Sequence, residues 1–135
     1  MPIDYEIDSE QRLVTARGRD TLTHEDILCY QLGVWSRPDV AGYDELIDMT
    51  GVAAIVLPSI EEVPKLANLS ALMDTPSSAT RLAIVARDDH AFALGRMYET
   101  YRGLDPRSTK QVRVFRTLPE ALVFLRPEPA SPDPP

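Results

Sequence analysis

Ile3, Tyr5 and Ile7 alternate with Asp4, Glu6 and Asp8, the period of a strand with one face buried. Ser9 and Glu10 suit a turn. Leu13, Val14 and Ala16 continue in a second strand ending at Gly18, so the chain opens with an antiparallel hairpin. Thr23 is a suitable N-cap for a first helix, with Asp26 in its first turn and Leu22 and Ile27 at the spacing of a hydrophobic staple. Leu28, Leu32 and Trp35 share one face of this helix, and Pro38 stops it after Arg37. Residues 43–49 read as a third strand, Thr50 and Gly51 as a turn, and residues 52–57 as an apolar lead into a second helix. Ser59-x-x-Glu62 has the form of a capping box and starts that helix at Ile60; alternatively Pro64 takes a first helical position. The helix ends near Met73, and Pro76 with its neighbouring serines marks a loop.

The segment from Ala79 to Arg102 fixes the class of fold. Arg81-Leu82-Ala83-Ile84-Val85-Ala86 is a short apolar run, the pattern of a strand covered on both faces. Asp88 and Asp89 supply a cap, and Leu94, Met97, Tyr98 and Tyr101 form one stripe of the helix that follows. A polar connection over 103–110 leads to a fifth strand over 111–115. Thr117-x-x-Glu120 caps a short closing helix whose stripe is Leu118, Ala121, Leu122 and Leu125. The order β-β-α-β-α-β-α-β-α predicts a single-domain α/β fold over residues 1–126, with a mixed, mostly parallel five-stranded sheet packed with helices. Residues 127–135, with five prolines, read as a disordered Pro-rich tail. No internal repeat is visible.

Composition narrows the function. At 135 residues, 44% hydrophobic and 26% charged, the chain has the make-up of one ordinary globular domain. A net charge of −7 argues against nucleic acid, whose affinity comes from clustered Lys and Arg, and against a polybasic membrane-surface binder. Arg carries almost all the positive charge, the lysines being Lys65 and Lys110. Cys29 stands alone, so no internal disulfide forms and a reducing compartment is compatible. The start of the chain lacks the basic and apolar regions of a signal peptide, and no apolar run is long enough to span a bilayer; the expected location is cytoplasmic.

The opening hairpin, the Leu46-Ile47-Asp48-Met49-Thr50-Gly51-Val52 segment, the Arg81-Leu82-Ala83-Ile84-Val85 strand and the Arg96-Met97-Tyr98-Glu99 helix come in a familiar order, followed by Val114-Phe115-Arg116-Thr117 and Glu120-Ala121. Over residues 3–125 this order resembles the SpoIIAA-like family, placed with the STAS and SEC14-like folds. The resemblance implies a non-enzymatic protein-interaction module, some members of the wider group being switched by phosphorylation. The matching neighbourhood here is Ala54-Ile55-Val56-Leu57-Pro58-Ser59, which lacks the aspartate that precedes the phosphorylated serine, so Ser59 carries over by position alone. The SEC14-like side implies instead a small apolar or lipid ligand between sheet and helix.

Several residues compete for chemical roles. His90 beside Asp88 and Asp89 has the look of a metal or acid–base cluster, but the aspartates serve equally as helix caps, with His90 exposed in the first turn. His24 takes the same ordinary account. Two isolated histidines make no zinc site, and no metal or cofactor is expected. Cys29, flanked by Leu28 and Tyr30, reads as a buried or half-buried structural cysteine. The glycines are dispersed and form no phosphate loop. Asp48, Thr50, Ser59, Arg87, Asp88 and Asp89 fall at the carboxyl ends of strands, where open α/β sheets bind ligands, although Asp48 and Thr50 also suit local turns. Arg96 and Arg102 read as solvated or paired with Glu99. Phe92 near Arg96, and the side of the first helix carrying Tyr30 and Val34, are candidate faces of a homodimer. The expected function is a regulatory interaction module with an unknown protein partner. The alternatives are an apolar-ligand binder and, third, an enzyme using Asp48 or Asp88 and Asp89.

Overall fold

The computed structural model describes residues 2–76 and 78–126, so the proline-rich tail lies outside the described residues. The elements are β1 (Ile3–Asp8), β2 (Leu13–Thr23), α1 (His24–Val34), β3 (Asp44–Val56), α2 (Glu62–Met73), β4 (Thr80–Val85), α3 (Asp89–Leu104), β5 (Lys110–Phe115) and α4 (Leu118–Leu125), with a 3-10 turn at Pro38–Val40. They build one sheet in the order β1-β2-β3-β4-β5, in which β1 runs antiparallel to β2 and every other pair is parallel. Each parallel connection steps to the adjacent strand. Right-handed crossovers then place α1, α2 and α3 on one face, and α2 packs against both α1 and α3. Helix α4 closes no crossover and covers the other face.

The period of two along the strands divides the core. Leu46, Ala83 and Val85 meet Ala121 and Leu125 of α4, whereas Leu82, Ile84 and Val112 face Tyr98 of α3. Val14 and Ala16 pack with Tyr30 and Val34 of α1, joined by Ile3 and Ile7 of β1. Residues 82–85 are buried throughout, as the unbroken apolar run predicts, in an interior strand between β3 and β5.

Helix starts follow their caps. Thr23 and Asp26 form a reciprocal capping box, the Asp26 amide donating to Thr23 Oγ1 at 3.2 Å and the Thr23 amide to Asp26 Oδ2 at 2.9 Å. Asp88 Oδ1 accepts from the Ala91 amide at 2.7 Å. Helix α2 begins at Glu62, between the two starts the sequence allows. Pro64 falls in its first turn, where amides have no intrahelical acceptor and a missing N–H costs nothing. Ser59 Oγ accepts from the Glu61 amide at 3.2 Å, and so does not close a box with Glu62. Thr117 and Glu120 bond side chain to side chain at 2.7 Å.

Three expectations are corrected. Thr50 and Gly51 are not a turn, because β3 runs through them to Val56 while β2 continues past Gly18 to Thr23. The two strands pair in parallel along this extension, with register breaks between Arg17 and Arg19 and between Asp20 and Thr21. Gly18 is required by close approach: a Cβ there would lie 2.9 Å from Val52 Cγ2. The β1 register ends at Gly18, with the Arg19 amide still bonded to the Pro2 carbonyl at 2.9 Å, and β4 reaches only Asp48, so residues 20–23 and 52–56 form a two-stranded arm beyond the body of the sheet.

The second correction concerns α1, which turns Tyr30, Gln31 and Val34 inward and leaves Leu32 49% exposed. Apolar residues surround this helix, so their spacing allows two stripes. Packing against Val14 and Ala16 of β2 selects the stripe that carries Tyr30 and Val34. Tyr30 and Val34 are therefore core residues, not a dimer face. Cys29 falls on the opposite side and is exposed, not buried or half-buried.

The third concerns α3, whose buried residues are Ala91, Leu94, Gly95 and Arg102. Tyr101 is exposed. The helix lies tight on β5, where a Cβ at Gly95 would sit 3.1 Å from Val114 Cγ1, so small residues mark its inward side. Arg102, expected to be solvated or paired with Glu99, is buried and bonded to Asp74; Arg96 is the arginine that lies 3.7 Å from Glu99. Among the described residues no helix is long and apolar enough to cross a membrane.

Candidate functional site: an apolar cavity between sheet and helices

A cavity of about 120 Å³ lies between the sheet and helices α1–α3. Its floor is the helix-facing side of the strands: Ala16 of β2, Ile47 and Met49 of β3, and Leu82 and Ile84 of β4. Ile27 and Tyr30 of α1, Val63 and Leu66 of α2, and Leu94, Gly95 and Tyr98 of α3 roof it. Ala16 and Gly95 put small residues on the lining, Gly95 because α3 approaches Val114 of β5 too closely for a side chain.

The cavity's polar groups sit at its two ends. Near the start of β3, the Tyr30 hydroxyl donates to Glu45 Oε2 at 2.7 Å, as does Trp35 Nε1 at 2.9 Å. Lys110 Nζ donates to Glu45 Oε1 at 2.8 Å and lies 3.1 Å from the centre of the Trp35 ring. Burial, reinforced by the Glu45 charge, pushes the Tyr30 phenol well above its usual range. Burial also raises Tyr98, against the pull of neighbouring Arg102, which donates to the Tyr98 hydroxyl at 2.5 Å. Arg102 in turn contacts Asp74 Oδ2 at 2.5 Å, and the same oxygen accepts from the Thr109 amide at 2.9 Å. At the other end, His24 Nε2 of α1 lies 3.1 Å from Glu62 Oε2 of α2, tying the two helix starts together beside Ile55 and Leu57.

The expected strand-end site is dispersed among local tasks. Asp48 Oδ1 accepts from the Thr50 amide at 2.9 Å and the Thr50 hydroxyl at 2.7 Å, the local turn arrangement. Asp48 pairs in register with Val85, which brings it near the Arg87-Asp88-Asp89 turn. There Asp88 caps α3, while Asp89 meets Arg116 at 2.8 Å with its side chain 97% exposed. Arg87 is exposed and its carbonyl accepts from Arg116 at 3.0 Å. Ser59 is engaged by Glu61 and joins none of these in a common hydrogen bond. His90 is exposed in the first turn of α3. Phe92 is half-buried with the Arg116 guanidinium 4.0 Å above its ring, so Arg116 rather than Arg96 is its cationic neighbour. Among the described residues no group of three or more His, Cys, Asp or Glu is placed to hold a metal ion.

Glu45, Lys110 and Asp74 carry no role in the sequence pattern, Arg102 is there read as solvated or paired with Glu99, and His24 has no partner there. Glu45 and Lys110 both sit at strand beginnings among polar neighbours, Asp44 before the one and Thr109 and Gln111 around the other, so nothing local marks them as buried.

No protein-family model matches the chain, and no curated protein matches it. Among solved structures, an uncharacterised protein of the DUF3478 family from Shewanella loihica PV-4, described as having a SpoIIAA-like fold, superposes with a TM-score of 0.57 at 18% identity, covering 91% of this chain and 93% of that one. The strand order, the three crossover helices on one face and this superposition together give the chain a SpoIIAA-like fold.

Proposed function

We propose that this chain is a non-enzymatic STAS-like module that holds a small apolar molecule between its sheet and helices α1–α3. The apolar cavity of about 120 Å³ carries this reading. Pockets for drug-sized ligands begin at about 300 Å³, so the ligand is the size of a single ring or a short chain. An apolar cavity of roughly 150 Å³ in another protein takes benzene. Asp48 and Asp88 commit their carboxylates to Thr50 and Ala91, which supports binding over acid–base chemistry. The test is methyl-resolved NMR with benzyl alcohol. Shifts are expected at Ile27, Ile47 and Leu66, with loss of those shifts in Leu66→Trp, which fills the space from α2. Unmoved methyls in the native chain would remove the reading.

A second reading, the interaction module, has its own observation. Leu104 is 74% exposed and, with Tyr101, Pro64 and Pro106, lines an open groove between α2 and α3. Exposed apolar residues grouped in this way form contact patches, and two-fold dimers are the commonest assembly. This reading moves the homodimer from Phe92, Tyr30 and Val34 to the groove. Sedimentation at micromolar concentration checks it: a dimer that Leu104→Glu dissociates supports it, and a monomeric parent removes it.

A further inference from the structure

The charges around the cavity are unevenly placed, and that placement bears on which molecules enter. This inference rests on the ligand-binding reading. The ionisable lining residues include two carboxylates, Glu45 and Glu62. Its basic residue, His24, already faces Glu62 at 3.1 Å. The cations nearby stand outside the lining and are engaged: Lys110 holds Glu45 at 2.8 Å, Lys65 lies 3.4 Å from Glu62 with its own side chain largely exposed, and Arg102 holds Asp74 at 2.5 Å. A carboxylate entering the cavity would lose its water, approach two carboxylates whose counter-charges are already committed, and find no uncommitted cation among the described lining residues. A neutral molecule avoids the like charges and the much larger desolvation cost of an ion.

We infer that the cavity selects uncharged ring-sized or short-chain molecules and rejects their carboxylate counterparts, fatty-acid headgroups included. Glu62 is the gate residue in this selection, because it flanks the cavity where α1 and α2 begin and its side chain keeps 16% exposure. Glu45, at the opposite end, is fixed by Tyr30, Trp35 and Lys110.

The experiment compares benzamide and benzoate, which share a shape and differ in charge, by methyl-shift titration of the full chain at pH 7. Benzamide should bind at least about tenfold more tightly than benzoate, and Glu62→Gln should narrow the ratio by about threefold or more. The benzamide-to-benzoate ratio in the native chain decides the matter whether or not the variant folds. Equal affinities, or tighter binding of benzoate, overturn the selection rule while leaving the cavity reading intact. Failure of benzamide, benzoate and benzyl alcohol alike overturns both. An unchanged ratio in folded Glu62→Gln removes Glu62 from the gate.

Discussion

Lys110, the first residue of β5, reaches past β4 to place its ammonium 2.8 Å from the carboxylate of Glu45, the second residue of β3. Both side chains are buried, at 7% and 2% exposure. Removing one partner leaves a buried charge without its counterion, which typically costs about 3–5 kcal/mol. Lys110→Met should fall near the lower end, about 3 kcal/mol, because Tyr30 and Trp35 still donate to Glu45. The Glu45→Met/Lys110→Met double variant should be more stable than the sum of the single losses implies, by about 1 kcal/mol or more in a urea-unfolding cycle. Additive losses would show that the pair is not coupled.

Tyr30 gives a test at alkaline pH. Its folded phenol is held well above the usual range by burial and then by the Glu45 charge. The unfolded chain loses the corresponding proton near pH 10. Above that pH the folded state binds more protons, so stability is fully present below about pH 10 and declines as pH rises beyond it. Spectrophotometric titration should show Tyr30 ionising only together with unfolding. Tyr30→Phe should flatten the decline and cost about 1–2 kcal/mol at neutral pH through the lost bond to Glu45.

Asp105 gives a test at acid pH. The Arg107 side chain bonds to its carboxylate at 3.0 and 2.7 Å, and the Arg107 amide adds a bond at 3.0 Å. These bonds, the side-chain ones foremost, lower its pKa to about 2. The sign is opposite to that of Tyr30: the stabilisation is present above the unfolded value near 3.9 and is lost as pH falls through about 2. Carboxyl NMR should find Asp105 titrating near pH 2 in the native chain and closer to the ordinary value in Arg107→Ala. An unchanged titration in the variant would leave the amide bond as its cause.

Hydrogen exchange should separate the sheet body from its arm. Amides of residues 82–85, between two strands and under helices on both faces, should be among the slowest. Residues 20–23 and 52–56, paired with one another beyond the reach of β1 and β4, should exchange faster. Uniform protection across body and arm would mean that something else covers the arm's edges.

What could be read from the chain alone was mostly local. Thr23, Asp26 and Asp88 announce helix starts because a cap acts within three residues. The alternation in β1 and the apolar run of β4 announce burial because a strand's period is short. Gly51 misled because glycine signals either a turn or the close approach of another strand, and only the partner, Arg19 of β2, decides between them. The inward face of α1 stayed ambiguous because apolar residues surround it. The buried polar ends of the cavity were hardest to foresee, since Lys110 and Glu45 lie 65 residues apart and Arg102 and Asp74 28 apart. An arginine two residues from the end of a helix looks solvated until α2 is packed beside it.

The unswapped order of the sheet has a kinetic meaning. Each strand's hydrogen-bonded neighbours are the strands immediately before and after it in the chain, so no pairing waits for a segment made much later. Closing a loop of one crossover at a time keeps the entropic cost of each step low and similar. Topologies built from such near contacts fold faster than those whose strands must find distant partners. The sheet can therefore grow in the direction of synthesis, with β4 adding to a platform of β1–β3 already formed and β5 and α4 sealing it last.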